Sequence, residues 1–203
     1  MKKFAITLTM VLVGSLVAAL FGAAPASAAP TPTRANAIVS QVVAPAKKAA
    51  KPPLTKAQLK KIRSRAKTLS APSAWRGLAM LHPTGRTFPK SVSRWANMVS
   101  VIMAEHKIPA QYLNGILAQI QQESYGDPTV VNMWDSNAKR GTPSMGLLQV
   151  IAPTYLQYAK RGLRQVKFQT LPYANIYAAL KYAKSRYGMS KFALWNAGQN
   201  QGY

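Results

Sequence analysis

The sequence contains no cysteine and only four acidic side chains, Glu105, Glu123, Asp127 and Asp135, against 27 Lys and Arg. Without cysteine there are no disulfides and no thiol nucleophiles, so the fold rests on burial. Histidine is almost as scarce. His82 and His106 are the only two, no Cys/His metal-ligand cluster exists, and neither lies in a recognisable catalytic context. A metal or other cofactor is therefore not expected. Beyond the N-terminus, no apolar run approaches the roughly 18 residues a membrane-spanning helix needs.

The positive charge is uneven. Residues 29–95 carry 14 basic side chains and no acid, whereas residues 96–203 carry 11 basic and four acidic ones. A field of this sign attracts polyanions and is screened by salt. At the N-terminus, Lys2 and Lys3 precede an apolar stretch from Phe4 to Phe21, and Ala26-Ser27-Ala28 supplies small residues. This is the pattern of a cleaved export signal spanning residues 1–28. A secreted protein without a membrane span is expected, and a monomer. Outside a cell, the anionic polymers of a bacterial wall are the favoured polyanion over nucleic acid.

Residues 29–53 are rich in Ala, Pro, Thr and Lys and read as a disordered spacer. Residues 54–90 form a basic linker region, with helical spacing from Thr55 to Leu69 through Leu59, Ile62 and Ala66. Deleting residues 29–90 is expected to weaken wall binding in a salt-dependent way and to spare activity on soluble fragments. The compact domain is expected over 91–203. Val92, Trp95, Val99, Ile102 and Met103 recur at helical spacing. Pro109 starts a second helix, with Tyr112, Leu113, Ile116, Leu117 and Ile120 on one face. A long polar loop follows over 129–146, with a hairpin expected near Val130 and Val131. Helices are expected after Pro153, after Pro172 up to Gly188, and from Lys191 to Ala197. The class is mainly α, with a long loop or small hairpin after the second helix of the domain.

Ile116, Ile120 and Glu123 are spaced i, i+4, i+7 and share the apolar face of that helix. A carboxyl at the rim of a core is partly desolvated, which raises its pKa and suits a general acid. A solvated helix-end glutamate is the plainer alternative. Ser124 is placed to orient the carboxyl, or is a simple helix-terminal residue. Glycosidic cleavage usually takes two carboxylates, about 6.5–9.5 Å or about 5–5.5 Å apart. Here partners are few. Glu105 reads as solvated and Asp127 as a turn residue before Pro128, which leaves Asp135 in the long loop as a possible second carboxylate. A mechanism with one essential carboxylate fits this inventory better.

The run Ile120-Gln121-Gln122-Glu123-Ser124 with Asp127-Pro128, and Ser144-Met145-Gly146-Leu147-Leu148-Gln149 with Pro153-Thr154, resemble the signature of lytic transglycosylases of the soluble-lytic-transglycosylase type. Asn175-Ile176, Lys181-Tyr182 to Tyr187-Gly188, and Asn196-Ala197-Gly198 are similar to the family's later motifs. The loop from Trp134-Asp135-Ser136-Asn137-Ala138 to Gly141-Thr142-Pro143-Ser144 resembles actinobacterial and phage members. The resemblance covers roughly residues 95–203 and implies a lysozyme-like fold acting on peptidoglycan glycan strands. It implies cleavage of the β-1,4 bond between N-acetylmuramic acid and N-acetylglucosamine, with a 1,6-anhydro product. It also implies Glu123 as the single acid/base, Ser124 as its orienting residue, and a sugar site lined by Gly146, Leu147 and Gln149. Asn196 would lie in the cleft wall. The family usually has tyrosine where this chain has Trp195, and Tyr173 is the candidate cleft tyrosine, although both residues suit an aromatic core equally well. Two other functions remain open: a hydrolytic muramidase with Asp135 positioning water, and a cationic wall-binding protein without catalysis.

Overall fold

A computed structural model describes residues 51–72, 83–85, 87–200 and 202, all within one compact unit, Ala50–Tyr203. The expected export signal, nearly all of the expected spacer, and His82 lie outside the described residues. Eight helices are found among the described residues: α1 (Lys56–Leu69), α2 (Lys90–Ser93), α3 (Ala96–His106), α4 (Leu113–Ser124), α5 (Ser136–Lys139), α6 (Ala152–Tyr158), α7 (Pro172–Tyr187) and α8 (Ser190–Asn196). One antiparallel hairpin, β1 (Ser144–Met145) with β2 (Val150–Ile151), pairs Ser144 with Ile151 and Met145 with Val150. The domain is mainly helical, as expected. No helix among the described residues is long and apolar enough to cross a membrane.

Packing follows the apolar stripes. α4 lies on α8 and α3, and α7 lies on α3 and α6. Ile102, Ile116, Ile120, Ile176 and Leu180 are fully buried at the centre. Gly115 explains the close α4–α8 contact: a Cβ there would fall 2.7 Å from the Trp195 carbonyl carbon. Glycine costs about 1 kcal/mol in a helix interior, and here that cost is offset by seating the Trp195 and Phe192 rings, packed edge to face with centroids 5.4 Å apart.

Three expectations are corrected. The helix expected from Ser91 is two helices, broken at Arg94–Trp95, where the Trp95 indole N–H donates to the Gly126 carbonyl over 2.9 Å. Pro109 opens a 3-10 turn, Ala110–Tyr112, and α4 starts only at Leu113. The hairpin lies at residues 144–151; Val131 reaches it through a single bridge to Met145.

Within the expected linker region, Lys56–Leu69 form helix α1, which packs on the domain. Thr55 caps α1 through a capping box with Gln58, the reciprocal bonds being 3.2 and 2.9 Å. The helix docks on the domain by burying Ala66. At its end, the Ser70 hydroxyl accepts the Tyr173 backbone N–H over 3.0 Å. Deleting residues up to 90 would strip part of the core, so a truncation that tests the N-terminal charge must stop before α1.

Candidate active site

Glu123 ends the apolar stripe of α4 and lines a cavity of about 270 Å³. The loop after α4 contributes Asn132 and Asp135 to that cavity, α5 Asn137, the hairpin Ser144 and Gln149, and α6 and α7 Thr154 and Tyr182. A larger groove of about 810 Å³ lies elsewhere, between α1 and Lys167–Pro172. It contains no carboxylate, so size alone does not locate the chemistry.

Burial pushes the Glu123 carboxyl above the ordinary glutamate range; a hydrogen bond from Gln119 and the charge of Lys191 act in the opposite direction without reversing it. Gln119 stands one turn earlier on α4, fully buried, and its Nε2 donates to Glu123 Oε1 over 2.7 Å. The other end of the Gln119 amide accepts from Asn200 Nδ2 over 3.2 Å. That second bond fixes which way the amide faces, because an oxygen held by Asn200 turns the NH₂ toward Glu123. With Oε1 occupied, Oε2 is the oxygen left for proton exchange.

Ser124 does not touch the carboxyl. Its hydroxyl donates to the Leu147 carbonyl at 2.9 Å, lies 3.1 Å from the Ile120 carbonyl, and accepts the Gly126 N–H at 3.3 Å. It therefore fastens the end of α4 to the hairpin turn, and orienting Glu123 falls to Gln119. The turn is held from below as well. Buried Asn175 donates to the Met145 carbonyl at 2.8 Å and accepts the Leu148 N–H at 2.9 Å. Gly146, at φ 82, is required there, since a Cβ would sit 2.8 Å from Asn175 Cγ. Gln149, itself at φ 38, donates to the carbonyls of Val130 and Gly146 and accepts from the Ser144 hydroxyl.

Of the residues expected at the site, Glu123, Asp135 and Gln149 line the cavity. Gly146 and Leu147 frame the turn behind it, with Leu147 fully buried. Asn196 is exposed on α8 and does not line it. Trp195 is core. Tyr173 is displaced altogether. Nine residues separate it from Tyr182, about two and a half helical turns, so the two tyrosines face opposite sides of α7. Tyr173 donates to Glu105 over 2.7 Å on the far side, while Tyr182 reaches the cavity.

Asp135 caps α5, with Oδ1 accepting the Ala138 N–H at 2.8 Å and Oδ2 accepting from Asn132 at 3.3 Å. Between these two sits Trp134, 80% exposed beside Met133. Asp127 closes its own turn with Thr129, as expected of a turn residue. Sequence reasoning missed Gln119, Asn200, Tyr182 and the asparagines of the loop. Gln119 had a signal, its i−4 spacing from Glu123. Asn200 had none, because its partner is 81 residues away.

The domain is mainly helical, with a small hairpin beside a desolvated, amide-held glutamate, which agrees with the lysozyme-like fold the resemblance implied. The family model "Transglycosylase SLT domain" matches residues 100–201, half of the chain, and the chain belongs to that family. Over 98 residues it is 41% identical to an uncharacterized protein, YqbO, of Bacillus subtilis (strain 168). That stretch is 48% of this chain and 6% of YqbO, so the chain spans only a small part of that relative. No solved structure matches.

Proposed function

We propose that this protein is a secreted peptidoglycan lytic transglycosylase with Glu123 as its single acid/base. The observation that carries the reading is the state of Glu123: desolvated, held at one oxygen by Gln119, and lining a polar cavity. Family membership supplies the reaction class and the substrate.

Protonated Oε2 gives its proton to the glycosidic oxygen as the bond from the muramyl C1 to that oxygen breaks. The resulting carboxylate then takes the proton of the muramyl 6-hydroxyl, whose oxygen closes on C1. The 1,6-anhydro ring forms, Glu123 regains its proton, and no water is consumed. Gln119 and Asn200 hold the carboxyl in place through the cycle. Tyr182, which lines the cavity, serves as a sugar platform, because an aromatic face packs against the apolar face of a sugar ring.

Hydrolysis with Asp135 as the water-positioning base is the second reading, since Asp135 shares the cavity. It is less favoured because both Asp135 oxygens already accept hydrogen bonds. Mass spectrometry of muropeptides released from sacculi separates the two. Transglycosylation gives ends one water lighter than hydrolysis, and reducing ends alone would sink the main reading. Export is tested by the N-terminus of protein recovered from culture medium, expected at Ala29.

A further inference from the structure

The basic charge of α1 is gathered on a groove. Lys56, Lys60, Arg63 and Lys67 line one wall of the 810 Å³ space, and Lys167 lines the other. At 1.5 Å rise per residue the α1 cations run about 16 Å from end to end, in steps of roughly 4.5–6 Å. Leu59, Phe168 and Leu171 give the groove apolar lining.

None of the chain's four side-chain carboxylates lines it. Glu105 is bound by Lys160 and Arg65, Glu123 and Asp135 line the other cavity, and Asp127 closes its own turn. Five cations in one groove without a carboxylate among them call for an external polyanion. Single-stranded nucleic acid is a poor match, because its binders offer aromatic faces on which bases stack. The aromatic ring lining this groove, Phe168, already has Arg63 5.5 Å and Lys167 5.3 Å from its centroid. A chain of short polyol units joined by phosphodiesters needs no stacking platform, and its carbons suit the apolar lining.

We propose that this groove docks a phosphodiester-linked polyol polymer of the bacterial wall and holds the domain beside its substrate. The choice of a wall polymer rests on the peptidoglycan reading, but the test measures binding without turnover, so the two fail separately. Poly(glycerol phosphate) is titrated into the full chain at several salt concentrations. Lys56, Lys60 and Lys67→Gln together are compared with a control triple off the groove, Lys90, Lys107 and Arg186→Gln.

The groove triple is expected to lose about tenfold in affinity, with the salt slope shallower by about 2, from roughly 0.7 per neutralised phosphate. The control triple is expected to lose less than about twofold, and both should cleave soluble glycan like the parent. Lys167→Glu, on the opposite wall, is expected to weaken binding also, and it decides the matter should the triple fail to fold. Equal losses in the two triples would overturn the proposal. So would unchanged binding in Lys167→Glu, or binding of poly(dT) or anionic vesicles as tight as that of the polyol phosphate.

Discussion

The chain's two glutamates, Glu105 and Glu123, both stand near the ends of helices that bury one face, yet their surroundings push them in opposite directions. Burial alone would raise Glu105 as well. Its carboxylate instead accepts hydrogen bonds from Lys160 at 2.6 Å and Tyr173 at 2.7 Å, with Arg65 at 3.3 Å, and these hold it below the ordinary range. Glu123 has an amide in contact and the charge of Lys191 alone beside it, and burial prevails. Glu105 thereby becomes a fixed charge that ties α1, α3 and α7 together. Glu123 holds its proton more tightly than an ordinary glutamate and faces a cavity. Burial and partner charge act together here: Glu105 is the more exposed of the two and has two cations in contact, whereas Glu123 is more buried and is held by an amide.

The largest break in this contrast comes from Glu123→Gln. Activity on glycan strands is expected to fall roughly 100- to 10,000-fold, the usual contribution of a general acid/base. Stability should not fall. Because Glu123 binds its proton more tightly folded than unfolded, its contribution declines as pH rises from the ordinary glutamate value through the folded one. The variant escapes that decline, so its Tm advantage should grow across this window in thermal melts at stepped pH.

Next come the positioning residues. Asn200→Ala frees the Gln119 amide to turn and is expected to cost about tenfold in kcat with little change in KM. Gln119→Ala removes a donor to the charged carboxylate, so the basic limb of the pH–rate profile should also move to higher pH.

Glu105→Gln should do the reverse of Glu123→Gln. Its stabilising effect is present above the ordinary glutamate value and is lost as pH falls through the lowered folded value. At neutral pH the variant is expected to lose no more than about 1 kcal/mol in denaturant melts, because the pair is partly exposed and screened by solvent, with activity within about twofold of the parent. The smallest effect is expected of Lys191→Gln: a slight upward shift of the basic limb that disappears in high salt.

What the sequence revealed follows from interaction range. The stripe Ile116, Ile120, Glu123 on α4 is local periodicity, and both isoleucines are fully buried. Thr55 as the start of α1 is likewise a local signal, confirmed by its capping box. Glu105 is exposed, as expected, but its partners were not legible because they lie 55 and 68 residues away. The docking of α1 depends on Ser70 meeting Tyr173 across 103 residues. Trp195 and Tyr173 illustrate a second limit: an aromatic side chain reads the same in a core and in a cleft until its neighbours are known. Ser124 shows a third, since adjacency to Glu123 in the chain turned its hydroxyl toward the hairpin rather than toward the carboxyl.

The most direct test uses the fact that the chain has only two glutamates. Labelling glutamate with ¹³C at Cδ gives two side-chain resonances, assigned with Glu105→Gln and Glu123→Gln. The Glu123 signal is expected to titrate above the ordinary glutamate value and the Glu105 signal below it. A Glu123 signal that titrates at or below the ordinary value would rule out Glu123 as the general acid, because the residue would then hold no proton to give at the start of the reaction.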